Sequence, residues 1–228
     1  MDTSGIDEFK KYVEVQITPS VREIRGLEDK SRKHVQKLVY TNLVDRFDVM
    51  VDTAILTNCR SEFVIEAISP SLTDTVNEHY LLKLLMDTNS VQDAIDERLK
   101  AAIRNTILRK RHSQKLQFLL KLFDKLEYSK LKPQVQPGNG NIVPSANMTK
   151  VNIPHSVCGY ADWLYSRRNA IVHGAGASPK YLSNDVKKLK ELYKYECPQK
   201  INLKFGAIEQ TVRFYTCLVN ILLGDENG

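Results

Sequence analysis

The chain has 228 residues, 26.1 kDa, a formal charge of +6, 42% hydrophobic and 26% charged residues, which suits one well-cored domain (1–228) and excludes wholesale disorder. No apolar run approaches membrane-spanning length, CLVNILL (217–223) being typical, and MDTSGIDEFKKYVEV lacks a signal-peptide core, so a cytoplasmic protein with no membrane partner is expected. The four cysteines (Cys59, Cys158, Cys197, Cys217) stand apart from one another and from any His cluster at ligand spacing. That points to reduced thiols and to neither a metal nor a cofactor.

Apolar residues recur at helical spacing almost throughout. Ile6, Phe9 and Val13 mark a short first helix, and Pro19 can open a second with Val21 and Ile24 inward. Between Ser31 and Asn58 the stripe Val35, Leu38, Val39, Leu43, Phe47, Met50, Val51, Ala54, Ile55 is the clearest helix, with Ser31 placed to cap it. A short apolar stretch, FVIEAI (63–68), ends at Ser69-Pro70, and a helix is expected from about Asp74 to Met86. Val91, Ile95, Leu99, Ile103 and Leu116, Leu119, Leu120, Phe123, Leu126 make two stripes joined at RKRH (109–112), either two helices or one bent helix. A motif helix follows over about 156–174, then a short one capped by Ser183 or Asn184, an alternating KINLKF (200–205) that suits an extended piece, and a last helix from Ile208 to near Gly224. The expected class is all-α, with at most a trace of strand.

Charge and loop chemistry are uneven. From Arg98 to Lys132 eleven basic residues stand against two acids, giving +9 in 35 residues. A segment of this kind is either a solvated helix face or a track for a polyanion. Residues 131–155 carry four prolines and two glycines, a loop (about 129–155) long enough to be functional or a bland insertion.

The chemistry concentrates in RRNAIVHG (167–174). On a helical wheel Val157, Tyr160, Ala161, Leu164 and Ile171 share one face, with Arg168 in its middle. A cation there needs a partner or a purpose. Asp162, Ser166, Asn169 and His173 form a second, polar stripe ending at Gly174, where the macrodipole favours a cation. Arg168 is either a core-edge arginine paired to an acid, with His173 a helix cap, or the two border one groove. Of the other histidines, His34, His79 and His112 sit in polar surroundings and read as surface residues. His155 is the spare candidate for a second acid, although eighteen residues of helix, ~27 Å, separate it from His173.

Arg168, Asn169 and His173, with four residues between the Arg and the His at a helix end, resemble the signature of the HEPN superfamily of all-helical domains. Apart from Arg167, no other Arg has a His at that distance. The resemblance implies a metal-independent endoribonuclease, often a toxin or antiviral defence effector under a cognate antitoxin or regulatory protein. His173 would act as base or acid on the 2′-hydroxyl or the leaving 5′-oxygen, Arg168 would stabilise the phosphorane, and Asn169 would orient the phosphate or the imidazole. The products would be 2′,3′-cyclic phosphate and 5′-hydroxyl ends. It further implies a homodimer whose cleft holds both copies of Arg168 and His173, with the Arg168 stripe partly interface. RNA would then run along Arg109, Lys110, Arg111, Lys115 and Arg167, with Tyr128 available for stacking. The other reading is a HEPN-like helical module that binds RNA, nucleotide or a partner protein without cleaving.

Overall fold

The computed structural model describes residues 1–72, 82, 86, 91–136, 138–146, 154–174, 179–198 and 200–225. Its fold is all-α: apart from one isolated antiparallel bridge, Val135 to Ile142, the regular elements among the described residues are helical. None of these helices is long and apolar enough to cross a membrane.

The two short N-terminal helices are one rod. α1 (Ser4–Tyr12) passes through a π-turn, Val13–Ile17, into α2 (Thr18–Ile24) with the backbone helical throughout, and Pro19, which has no N–H to give a preceding carbonyl, follows directly on the π-turn where the regular ladder is interrupted. Ile6, Phe9, Val13, Ile17, Val21 and Ile24, spaced three or four apart, are all buried along it. α3 (Asp29–Thr57) starts two residues before Ser31, so Ser31 lies inside the first turn and caps nothing. Its inner face, from Tyr40 to Ile55, is core, whereas Leu38 of the expected stripe is exposed.

α4 (Glu62–Ile68) is capped by Ser61, whose Oγ accepts from the Val64 N–H at 3.3 Å. The helix expected over 74–86 falls outside the described residues except for Leu82 and Met86, which are helical. The two stripes beyond it are separate helices, α5 (Val91–Thr106) and α6 (His112–Leu122), broken where the Arg111 N–H turns to the Gln114 side chain at 3.2 Å.

α7 (Val157–His173) carries the motif and begins at a Ser156 cap whose Oγ accepts from the Gly159 N–H at 3.1 Å. It packs against α3, α6 and α8 (Ser183–Tyr193), so every residue from Val157 to Leu164 is buried. The chain leaves the helix at Gly174 in an extended conformation that requires glycine: a Cβ there would collide with the Ala170 carbonyl and crowd Pro179. In α8, Ser183 and Asn184 are already helical and the cap position is Leu182, without a side-chain bond. Among the described residues KINLKF pairs with no strand; the Ile201 N–H meets the Pro179 carbonyl at 2.9 Å, and Phe205 opens α9 (Phe205–Leu223).

The proline-rich segment before α7 is tied down by its backbone. Gln134 and Val135 both donate to the His155 carbonyl, at 2.9 and 2.8 Å, and Val143 donates to Gln134 at 2.8 Å. Gln210 of α9 donates to the Gly138 carbonyl at 2.5 Å. Gly140 has φ +81, and a Cβ on it would strike the Gln210 carbonyl, so this turn requires glycine on both counts.

Candidate functional site

The apolar stripe of α7 is filled by the chain itself. Val157, Tyr160, Ala161 and Leu164 are core residues, and Tyr40 of α3 donates its hydroxyl to the Leu164 carbonyl at 2.9 Å. Arg168 therefore needs no second subunit to explain its place: Asp45 of α3 meets it, with Nη2 to Oδ2 at 3.0 Å and Nε 2.5 Å from Oδ1. Its Nη1 donates to Asn169 Oδ1 at 3.1 Å, and Asn169 Nδ2 reaches Asp185 of α8 at 3.4 Å. His173, at the last helical position, is exposed, and its ring makes no hydrogen bond or ion pair among the described residues. It is not the helix cap that spacing allowed.

The polar stripe of α7 is the inner wall of a buried network. Asp162 is fully buried, and its Oδ2 accepts from Arg111 Nε at 2.8 Å and from the Tyr193 hydroxyl at 3.2 Å. Arg111 spans the gap between α6, α7 and α8, donating also to Ser166 Oγ at 3.3 Å and Asp185 at 3.4 Å. Burial opposes the charge on Arg111, but the hydrogen bond and charge of Asp162 and the charge of Asp185 outweigh it and raise its pKa. Burial, with the nearby Asp162 charge, pushes the Tyr193 hydroxyl far above the usual phenol range. Tyr193 therefore remains a neutral donor.

A third cluster adjoins this one along a cleft of about 450 Å³ that also reaches Asn169 and Asp185. His112 is buried, stacked on Tyr165 with centroids 4.7 Å apart, and its Nδ1 lies 2.6 Å from Asp48 Oδ1. Lys115 sits between Asp48 at 2.8 Å and Asp52 at 2.6 Å.

These contacts correct part of the expected RNA track. Arg109 and Lys110 are exposed as a track requires. Lys115 is buried between two aspartates, and Arg111 is half-buried and spent on acids of the network. Arg167 is buried too, donating to the Asn202 carbonyl at 2.7 Å with its guanidinium 5.3 Å from the Trp163 ring and 5.7 Å from that of Tyr40. Tyr128 packs partly buried against the core. His112, expected on the surface, is enclosed because its helix turns that side onto α3. His34 is exposed, and His79 lies outside the described residues. His155 is buried, its Nδ1 3.1 Å from the Val135 carbonyl, and burial lowers its pKa, so it serves the loop anchor rather than the helix end.

Sequence reasoning missed Asp45, Asp48, Asp52, Asp185 and Tyr193. One signal was present: Asp45, Asp48 and Asp52 recur at spacings of three and four beside the apolar stripe of α3, so they share a face with one another. Among the described residues no group of three or more His, Cys, Asp or Glu side chains is disposed to hold a metal ion.

Asp48 gives the cluster a pH dependence. Burial raises its carboxyl, but the hydrogen bonds and charges of His112 and Lys115 prevail and bring it down to about 2, from 3.8. A carboxylate whose folded pKa is depressed stabilises the fold above its unfolded pKa, and loses that contribution as pH falls through the folded value. Asp52 works in the opposite sense, burial raising its pKa despite Lys115. The net expectation is a loss on the order of 1–2 kcal/mol between pH ~4 and ~2. Urea midpoints across that range should fall steeply for wild type, and less for Asp48→Asn, which starts weaker at neutral pH. Parallel curves for the two proteins would remove Asp48 as the cause.

In comparisons with known proteins, no family model matches the chain, and neither a curated protein nor a solved structure matches it.

Proposed function

We propose that the chain is a HEPN-type endoribonuclease that cuts RNA without a metal at the C-terminal end of α7. The observation that carries this reading is the contrast between two side chains of that helix end. Arg168 is held by Asp45 and Asn169, while His173 is exposed and unengaged among the described residues. An imidazole in that condition can take the proton of a 2′-hydroxyl, which starts attack on the adjacent phosphorus, or give one to the departing 5′-oxygen. Arg168 stands ready to donate to the non-bridging oxygens as charge builds on them, and Asn169 fixes its direction. Asp45 is partly exposed, so a phosphate can compete with it for the guanidinium.

One exposed motif histidine supplies one proton-transfer group. Cleavage that uses an acid and a base together would bring two copies of α7 into one cleft, as a homodimer with a composite site. Such an activity suits a cytoplasmic toxin or defence effector that a cognate antitoxin or regulatory protein restrains. The test is incubation of purified protein with short RNA and with total RNA in EDTA. Cleavage with 2′,3′-cyclic phosphate and 5′-hydroxyl ends is expected, and 3′-hydroxyl ends or an absolute need for a divalent ion would exclude the mechanism.

A second reading, a helical module that binds RNA, nucleotide or a protein without cutting, has its own observation. The Arg168 charge is already balanced by Asp45, as a purely structural arginine would be. Under that reading RNA is retained and released intact in the same incubation.

A further inference from the structure

The cleft of about 450 Å³ that joins the His112 cluster to Asp185 is short of cations. Among the described residues, four carboxylates share two of them: Asp48 and Asp52 both lie on Lys115, and Asp162 and Asp185 both lie on Arg111. Two negative charges are left unanswered, and Asp48, Asp52 and Asp185 line the cleft itself. Arg168 has no surplus to offer, because Asp45 already balances it. Lys110 stands at the rim, exposed, and makes no ion pair with these acids. Enclosed carboxylates without a cation are costly. Asp52 registers that cost: burial, with the Asp48 charge, holds its carboxyl above the ordinary value despite Lys115.

His112 gives an independent sign. It is only 3% exposed, it lines the cleft, and its Nε2 is buried without a hydrogen-bond partner among the described residues. Tyr165 covers one face of the ring, and the ionised Asp48 2.6 Å from Nδ1 keeps a proton on that nitrogen. With the ring neutral, Nε2 is a bare acceptor, which regains its bond when a donor enters from the cleft. Protonating the ring would answer one of the two charges and leave the other, while turning Nε2 into a buried donor with nothing to receive it.

An anion would be repelled by the three carboxylates of the lining. A divalent metal ion would need three or more ligands turned to one point, and no such group exists among the described residues. A neutral polyol would satisfy the acceptors and leave both charges. An aliphatic diamine meets every demand, with two ammonium groups rich in N–H donors and methylenes that can lie on Leu108 and Tyr165 of the lining. We propose that this cleft binds a small aliphatic diamine, with one ammonium between Asp52 and His112 Nε2, the other at Asp185, and the stem against Leu108 and Tyr165. The inference does not depend on cleavage of RNA.

Calorimetric titration of the full chain with putrescine, butylamine, butanediol and magnesium chloride tests it. Putrescine should bind about tenfold or more tightly than butylamine, and neither butanediol nor magnesium should compete with it. Asp52→Asn and Asp185→Asn should each weaken putrescine about tenfold. Lys110→Ala, which removes a cation from the rim, should tighten it, the opposite of what an anion site would show. In nitrogen NMR of the wild type, the His112 Nε2 signal should move with putrescine and stay still with butanediol. That measurement and the exposed Lys110→Ala variant keep the test decisive if an aspartate variant fails to fold. No putrescine binding at millimolar concentration, butylamine bound as tightly, an unmoved Nε2 signal, weaker binding by Lys110→Ala, or displacement by equimolar magnesium would each overturn the proposal.

Discussion

Replacing His173 by alanine should lower RNA cleavage in EDTA by about 10²–10⁴-fold, the usual contribution of a positioned proton-transfer group. The unfolding midpoint should not move, because the exposed imidazole holds nothing in place among the described residues. That separation of activity from stability makes His173 a cleaner probe than Arg168, whose removal leaves Asp45 and Asn169 without their partner. If cleavage does need two copies of the helix end, a mixed dimer of wild type and His173→Ala keeps only one of the two imidazoles, so excess His173→Ala protein should depress wild-type cleavage as subunits exchange. A His173→Ala protein as active as wild type would end the assignment of α7 as the site of cleavage.

Replacing Asp162 by alanine should cost about 3–5 kcal/mol of stability, the range for removing one partner from a buried charged pair. Asp162 is fully buried and Arg111 is only 20% exposed at its side chain, so the guanidinium left behind cannot turn to bulk water without breaking its bonds to Ser166 and Asp185. Tyr193 would lose its acceptor too, and three helices meet at these contacts. Asp162→Asn should cost less, because an amide oxygen can still accept from Arg111. Urea denaturation of the three proteins measures the difference, and a loss below about 1 kcal/mol for Asp162→Ala would show that the network stands open to solvent.

Periodicity and capping chemistry made the helices legible. α7 could be bounded to within a residue because Ser156 and Gly174 have local, sequence-readable reasons to sit where they do: one accepts a helix N–H and the other has no room for a side chain. α3 was legible in extent but not in start, because its cap position is Glu28, which contributes no side-chain bond. The same wheel separated Asp162, Ser166 and Asn169 correctly from the apolar face, yet it could not say that the polar face is also buried. That depends on Arg111 arriving from another helix 51 residues earlier in sequence than Asp162.

Lys115 and His112 were misread for a related reason. Local composition, RKRH followed by a lysine, looks like solvated surface, and only the aspartates of α3 turn it into an interior. Lys115 did leave one trace: it lies four residues before Leu119 and beside Leu116, on the stripe that α6 buries. A charge on a stripe is legible as a question, and its answer lies on whichever helix packs there. Arg168 posed the same question and Asp45 answers it.

The turn at Gly138 and Gly140 has a consequence for how freely its segment can change. Its course is set by main-chain carbonyls and amides, by the two glycines, by Asn139, whose side chain accepts from the Asn141 N–H and donates to Gln136, both at 2.9 Å, and by Gln210 reaching in from α9. Backbone groups are the same whatever side chains they carry. The outward-facing positions around those glycines can therefore exchange residues widely while the path stays fixed, so this strap holds its shape through geometry and leaves its surface composition open to selection for something else.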